Sequence, residues 1–171
     1  MTAAFRDPAC SRTANLLGAL ALSLNDEMRE ATEAVTGGGG ETSAALVSIG
    51  HAPACSIDFL ARLLHRSHPG TVRLVDRLAA ASLVERRAGA DGRTVALHLT
   101  VVGEQLRRQV LAARQQVLER VVAAVPAEQQ AAFAGVVESL LKTMRGSDFD
   151  RSYTICRLCD ERTCSDCPMG D

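Results

Sequence analysis

One lysine, Lys142, one tyrosine, Tyr153, and no tryptophan occur in the 171 residues, so any cationic surface must be built from arginine. No apolar stretch reaches the roughly 18 uninterrupted residues of a membrane helix. No basic leader runs into a hydrophobic segment with a cleavage site, and a cytoplasmic protein without membrane contact is expected. Gly-x-Ser-x-Gly, Gly-x-Gly-x-x-Gly and the phosphate loop are absent, and no pair of carboxylates stands in a catalytic context. An enzyme is therefore not expected. His51, His65, His68 and His98 are scattered and show no metal-binding His spacing. Gly37 to Gly40 is a run of four glycines with no Lys-Ser/Thr after it, which reads as a flexible connection instead of a phosphate cradle. The length and 47% hydrophobic content suit one compact domain with appendages.

The net charge of -1 conceals segregation. Between Ile57 and Leu99, seven arginines (62, 66, 73, 77, 86, 87 and 93) face four acidic side chains, whereas from Arg145 to Asp171 four arginines face six. Local sign governs contact with phosphate. The basic segment also carries a distinct order of elements. Ser56 is placed to cap a helix with Ile57, Leu60, Leu63 and Leu64 on one side, and Ser67 to cap a second helix with Pro69 in its first turn. Val72, Val75 and Ala79 are expected to form the buried stripe of that second helix, with Gly70, Arg73 and Arg77 on another face. Strand-like runs from Leu83 to Arg87 and from Thr94 to Leu99 then flank the turn-forming segment from Ala88 to Gly92, placing Arg93 at a hairpin tip. Two short helices, a groove-sized helix and a basic-tipped hairpin form a winged helix-turn-helix.

Residue by residue this segment resembles the MarR family of bacterial transcriptional regulators. Thr71-Val72-Arg73-Leu74-Val75-Asp76-Arg77-Leu78 is similar to the family's recognition helix, and Asp91, Arg93, Leu97, Leu99 and Thr100 to its wing. Ser82 departs from the pattern, standing where the family usually has Gly, and a left-handed turn there costs Ser more than Gly. The resemblance implies a repressor that reads a short palindrome in double-stranded DNA. Ser67, His68, Gly70 and Thr71 are expected near bases, Arg73 and Arg77 on phosphate or base edges, Arg86 on the DNA-facing side, and Arg93 in the minor groove, oriented by Asp91. His68 also fits a solvated residue beside a helix cap.

The remainder is amphipathic helix. Leu17, Leu20, Leu24, Met28, Ala31 and Val35 stripe a helix from about Ser11 to Thr36, and a short helix should run from about Ser43 to His51. Thr100 caps a helix bearing Leu106, Val110, Ala113, Val117 and Val121, and Pro126 opens a last one with Phe133, Val137, Leu140 and Met144 aligned. The expected fold is mainly α with a small β-hairpin wing. A dimerisation helix and Gly-rich connection occupy 1–42, the reader 43–99, further dimerisation helices 100–146 and a cysteine-rich tail 147–171. These stripes exceed what one small domain can cover, and the family dimerises through its terminal helices, so a homodimer is expected. The resemblance also implies a small aromatic or phenolic effector held between the dimer helices and the reader.

Cys156, Cys159, Cys164 and Cys167 place four of the six cysteines within twelve residues. Disulfides are disfavoured in a reducing cytoplasm, and four soft thiolates suit Zn2+. The connector of four residues between the two Cys-x-x-Cys pairs is shorter than in a usual zinc ribbon and demands a tight reversal. An iron-sulfur cluster, a dithiol sensing oxidants without metal, and an unliganded tail all remain open. So does a zinc-dependent protein-interaction module that would not need the arginine face. Cys10 lies where peroxide-sensing members of the resembled family carry a reactive Cys, but those have stabilising tyrosines, and Cys10 reads as an ordinary terminal thiol. Cys55 reads as a small packed residue.

Overall fold

The computed structural model describes residues 8–89, 94–145, 149–164 and 167–169. The elements run α1 (Pro8–Thr36), α2 (Gly40–His51), α3 (Ile57–Leu63), α4 (His68–Ala80), β1 (Val84–Ala88), β2 (Val95–Leu99), α5 (Val101–Ala123), α6 (Gln130–Arg145) and α7 (Phe149–Cys156). A single 3-10 turn, Ala127–Gln129, separates α5 from α6 behind Pro126. No helix among the described residues is long and apolar enough to cross a membrane.

Three side-chain caps fix where the central helices begin. Ser56 accepts from the Phe59 amide, Ser67 from Gly70 and Thr100 from Gly103, each serving a donor that the helix itself cannot satisfy. Two left-handed residues fix where α3 and α4 end. His65 has φ +51° and Ser82 φ +56°. Behind them the Arg66 amide reaches the Ala61 carbonyl and the Leu83 amide the Leu78 carbonyl, each at 2.9 Å, the six-to-one bond of a Schellman ending. Ser82 thus adopts the bend that glycine would take more cheaply.

Around these stops the reader closes on one core, in which Leu46 and Ile49 of α2, Leu60 of α3, Leu74, Val75 and Leu78 of α4, Val84 of β1 and Leu97 of β2 are buried together. The buried stripe of α4 is Thr71, Leu74, Val75 and Leu78. This corrects the expected Val72, Val75 and Ala79: only Val75 is common, because the helical step of three and four that starts at Thr71 collects the larger leucines. The strands pair antiparallel in the register Val84↔Leu99 to Ala88↔Val95.

A second, smaller core joins Val47 of α2 to Val110 and Leu111 of α5, with Val35 and Leu158 packed against it. Here the four-glycine run differs from the expected flexible connection. Gly37, at φ +63°, ends α1 with its amide on the Glu33 carbonyl, and the Gly40 amide donates to the Glu33 carboxylate at 2.9 Å. That remote cap starts α2 at Gly40, ahead of Ser43. The tail adds α7, a helix that sequence reading did not anticipate.

Candidate nucleic-acid interface

The solvent face of α4 follows from its buried one. With Leu74, Val75 and Leu78 in the core, Ser67, His68, Arg73, Asp76 and Arg77 are left exposed. Among the described residues neither Arg73 nor Arg77 is ion-paired, so both guanidinium groups are available to an anion. His68 is anchored differently, with Nδ1 2.6 Å from Oδ1 of Asp58 on α3. That contact ties the start of α4 to the preceding helix across the turn.

Gly70 and Thr71 do not lie on this face. Thr71 is fully buried and its hydroxyl donates to the Ser67 carbonyl at 3.2 Å, while a Cβ on Gly70 would stand 3.0 Å from Ser67 Oγ. Their expected base contacts are therefore corrected: both shape the helix start beneath the surface, and the small residue serves the cap instead of a close approach to DNA.

Arg86 projects from β1 toward α4, where its Nη2 donates to Asp76 Oδ1 at 2.7 Å. Arg87 pairs with Glu85 on the same strand. The first of these bonds braces the hairpin against α4, a role that the strand pattern alone did not reveal. The hairpin continues past the strands through the Gly89 amide, which donates to the Thr94 carbonyl at 2.8 Å. Asp91 and Arg93, the expected wing-tip pair, lie outside the described residues.

The tail rests against the junction of α2, α3 and α5. Arg107 of α5 is buried beside Gly50, where an added Cβ would come within 2.2 Å of its Nε, and its guanidinium reaches Glu104 at 3.2 Å and Glu161 of the tail at 3.4 Å. His51 sits 3.9 Å from Glu161, with its pKa lowered by burial against the opposing pull of that carboxylate. Cys156, Cys159, Cys164 and Cys167 are all free thiols. Cys156 interacts with Cys159 and Cys167, and Cys164 with Cys167. Hydrogen bonding from Cys156, then the charges of Arg114 and Arg157, lower the Cys159 thiol to about 6 against the pull of burial; Cys156 is raised chiefly by that same bond, and Cys164 by burial. No group of three or more His, Cys, Asp or Glu among the described residues is gathered as a ready-made metal site. Cys10 is exposed on α1, and Cys55, bridged through its backbone to Leu97, has its thiol pushed up to about 11 by burial.

Residues 40–94 match the MarR family model. The chain is similar to the YusO protein of Bacillus subtilis (22% identity over 80% of this chain and 97% of that one, TM-score 0.68). It is also similar to a MarR family protein of Bacillus stearothermophilus (22%, 80% and 95%, TM-score 0.71). A Mycobacterium tuberculosis MarR family protein in complex with p-aminosalicylic acid aligns as well, at 25% identity over 72% of this chain and 97% of that one, TM-score 0.55. No curated protein matches the sequence. The capped helix pair and the brace between Arg86 and Asp76 lie within the matched residues 40–94, and the chain shares its winged-helix fold with the solved MarR-family structures it resembles.

Proposed function

We propose that the chain is a cytoplasmic, double-stranded-DNA-binding transcriptional repressor that acts as a homodimer on a palindromic operator. The observation that carries this reading is the pair of exposed arginines, Arg73 and Arg77, on the solvent face of α4, neither ion-paired among the described residues, beside a wing braced by Arg86 and Asp76. In this reading α4 enters the major groove with Ser67 and His68 leading and Arg73 and Arg77 meeting guanine edges or phosphate. Arg93 then reaches the minor groove from the wing tip, its guanidinium oriented by Asp91.

Dimerisation is supported by apolar surface left uncovered in one chain. Leu16, Leu17, Leu20 and Leu22 on the first half of α1 are exposed, as are Phe133 and Leu140 on α6. A second copy laid on these faces would bury them and set two readers on half-sites about 10 bp apart. Control of operator affinity is assigned to a small ligand or to the tail. An open cavity of about 950 Å³ between α3 and α7 is lined by Phe59, Arg62, Arg66, Arg151 and Tyr153. Aromatic and guanidinium groups together suit a small aromatic carboxylate, the chemical class of the p-aminosalicylic acid bound by the mycobacterial protein.

Sequencing the duplex DNA that the purified protein retains from a random or genomic pool tests the function. Enrichment of a palindrome is the expected outcome. Recovery of no DNA above background contradicts it.

A further inference from the structure

The tail is too short to enclose a core, yet it is held in place at several points. Leu158 packs against Val47, Val110 and Leu111, Met169 is 5% exposed, and the Tyr153 ring meets Phe59 of α3 edge to face. Between these anchors run the four cysteines. The connector of four residues is closed by Asp160: its carbonyl accepts from the amide of Thr163 at 3.2 Å and from the hydroxyl at 2.9 Å, while its carboxylate accepts from the Arg162 amide and guanidinium. The tight reversal that two adjacent Cys-x-x-Cys pairs require is therefore present.

From this arrangement we propose that Cys156, Cys159, Cys164 and Cys167 form a tetrathiolate site for one soft divalent metal ion of the zinc class, which clasps the tail onto α2, α3 and α5. Three further observations bear on it. Side-chain hydrogen bonds pair Cys156 with Cys159 and with Cys167, and Cys164 with Cys167, although among the described residues no three of these thiols yet converge on one point. A Zn–S bond of about 2.3 Å in a tetrahedron separates the sulfurs by about 3.8 Å, so neighbouring thiols need only converge on a common centre. The Met169 amide lies 3.4 Å from Cys167 Sγ, a donor that serves a thiolate better than a thiol. Finally, Arg114 Nη2 stands 4.0 Å from Cys159 Sγ, and Arg157 lies between the first two cysteines. Both offset the charge of a site in which four thiolates outweigh one divalent ion.

Binding releases thiol protons and forms four metal–sulfur bonds without change of oxidation state. Four protein ligands leave no open position, so the site is structural or regulatory and not catalytic. The clasp joins α7, which touches the reader through Phe59 and Tyr153, to Leu158 and Glu161, which touch α5. Metal occupancy thus bears on how the reader sits against the helix that follows it. This inference is independent of the DNA-binding reading, because the ligands and their supports lie outside the recognition helix and wing.

The test uses the full chain, purified with reductant, stripped by chelator and titrated with Co2+. The expected result is saturation at one ion per chain, with the visible bands of tetrahedral thiolate-bound cobalt, displacement by one equivalent of Zn2+, and metal-dependent protection of the four tail thiols from a thiol reagent. Cys159→Ser/Cys164→Ser should lose the bands, whereas Cys10→Ser/Cys55→Ser should keep them. Wild-type protein in which Cys156, Cys159, Cys164 and Cys167 react as freely with Zn2+ present as without it overturns the proposal, and that readout decides even where a variant fails to fold. Retention of the bands in the Cys159→Ser/Cys164→Ser variant, or an iron-sulfur chromophore in the protein as isolated, also overturns it.

Discussion

Phe59 of α3 and Tyr153 of α7 meet edge to face, with ring centroids 5.7 Å apart and planes at 80°. It is a contact across 94 positions of sequence, and it joins the element that supports α4 to the segment that carries the cysteines. Aromatic pairs in this geometry couple by about 0.5–1.5 kcal/mol beyond the area they bury. A double-mutant cycle of Phe59→Ala and Tyr153→Ala, followed by urea unfolding of the full chain, should return a coupling energy in that range. Strict additivity would mean that the tail rests on the reader without energetic connection.

Gly103 lies in the first turn of α5, where a Cβ would stand 2.0 Å from the Leu83 carbonyl oxygen. Backbone cannot yield as a side-chain tip can. Gly103→Ala should destabilise the protein by about 1–3 kcal/mol, as overpacked cores do. Gly18 in α1 has nothing within 4 Å of its would-be Cβ. There the same substitution should gain roughly 0.5–1 kcal/mol from helix propensity. Thermal unfolding of the two variants should shift in opposite directions.

Ser82, at φ +56°, ends α4 in the left-handed region while its carbonyl accepts the Thr100 hydroxyl at 2.7 Å. A left-handed residue other than Gly costs roughly 1–2 kcal/mol, part of which glycine gives back in unfolded-state entropy. Ser82→Gly should therefore raise stability by on the order of 0.5 kcal/mol, and Ser82→Val should lower it by about 1 kcal/mol or more. Equal melting temperatures for the two variants would contradict the strain.

Burial raises the Cys55 thiol to about 11. A folded-state value above the unfolded one means that the neutral thiol favours folding: this contribution is complete below the ordinary thiol range and is lost as pH rises toward 11. Alkylation at pH 8 should spare Cys55 in native protein and label it in urea, and mass mapping of the labelled peptide reads the difference. Rapid native labelling would contradict the burial.

Local chemistry made much of this fold legible in the sequence. Ser56, Ser67 and Thr100 announced three helix starts because a cap needs only its own next three residues. The alternation from Val95 to Leu99 and the helical spacing of Leu106, Val110 and Val117 likewise carried their own period. Features set by distant partners stayed hidden. Glu33 caps α2 from the preceding helix, Asp76 captures Arg86 from the strand, and Arg107 is buried only because Gly50 leaves room for it. At the interface, Arg73 and Arg77 were readable as one exposed face, but the burial of Thr71 was not, since a threonine reads equally as a cap neighbour or a groove contact.

The central claim is that the exposed arginine face of α4 holds duplex DNA. Its most direct test is the salt dependence of binding to a selected duplex, compared between wild-type protein and Arg73→Ala/Arg77→Ala. Each phosphate contact contributes about -0.9 to the slope of log K against log salt. A residue reading a guanine contributes about 1–3 kcal/mol of discrimination instead. Wild-type affinity should fall steeply with salt, and the variant should lose at least tenfold in affinity through a shallower slope, weaker sequence preference or both. Binding that ignores salt, or a variant that binds as tightly and as selectively as wild type, would contradict the account.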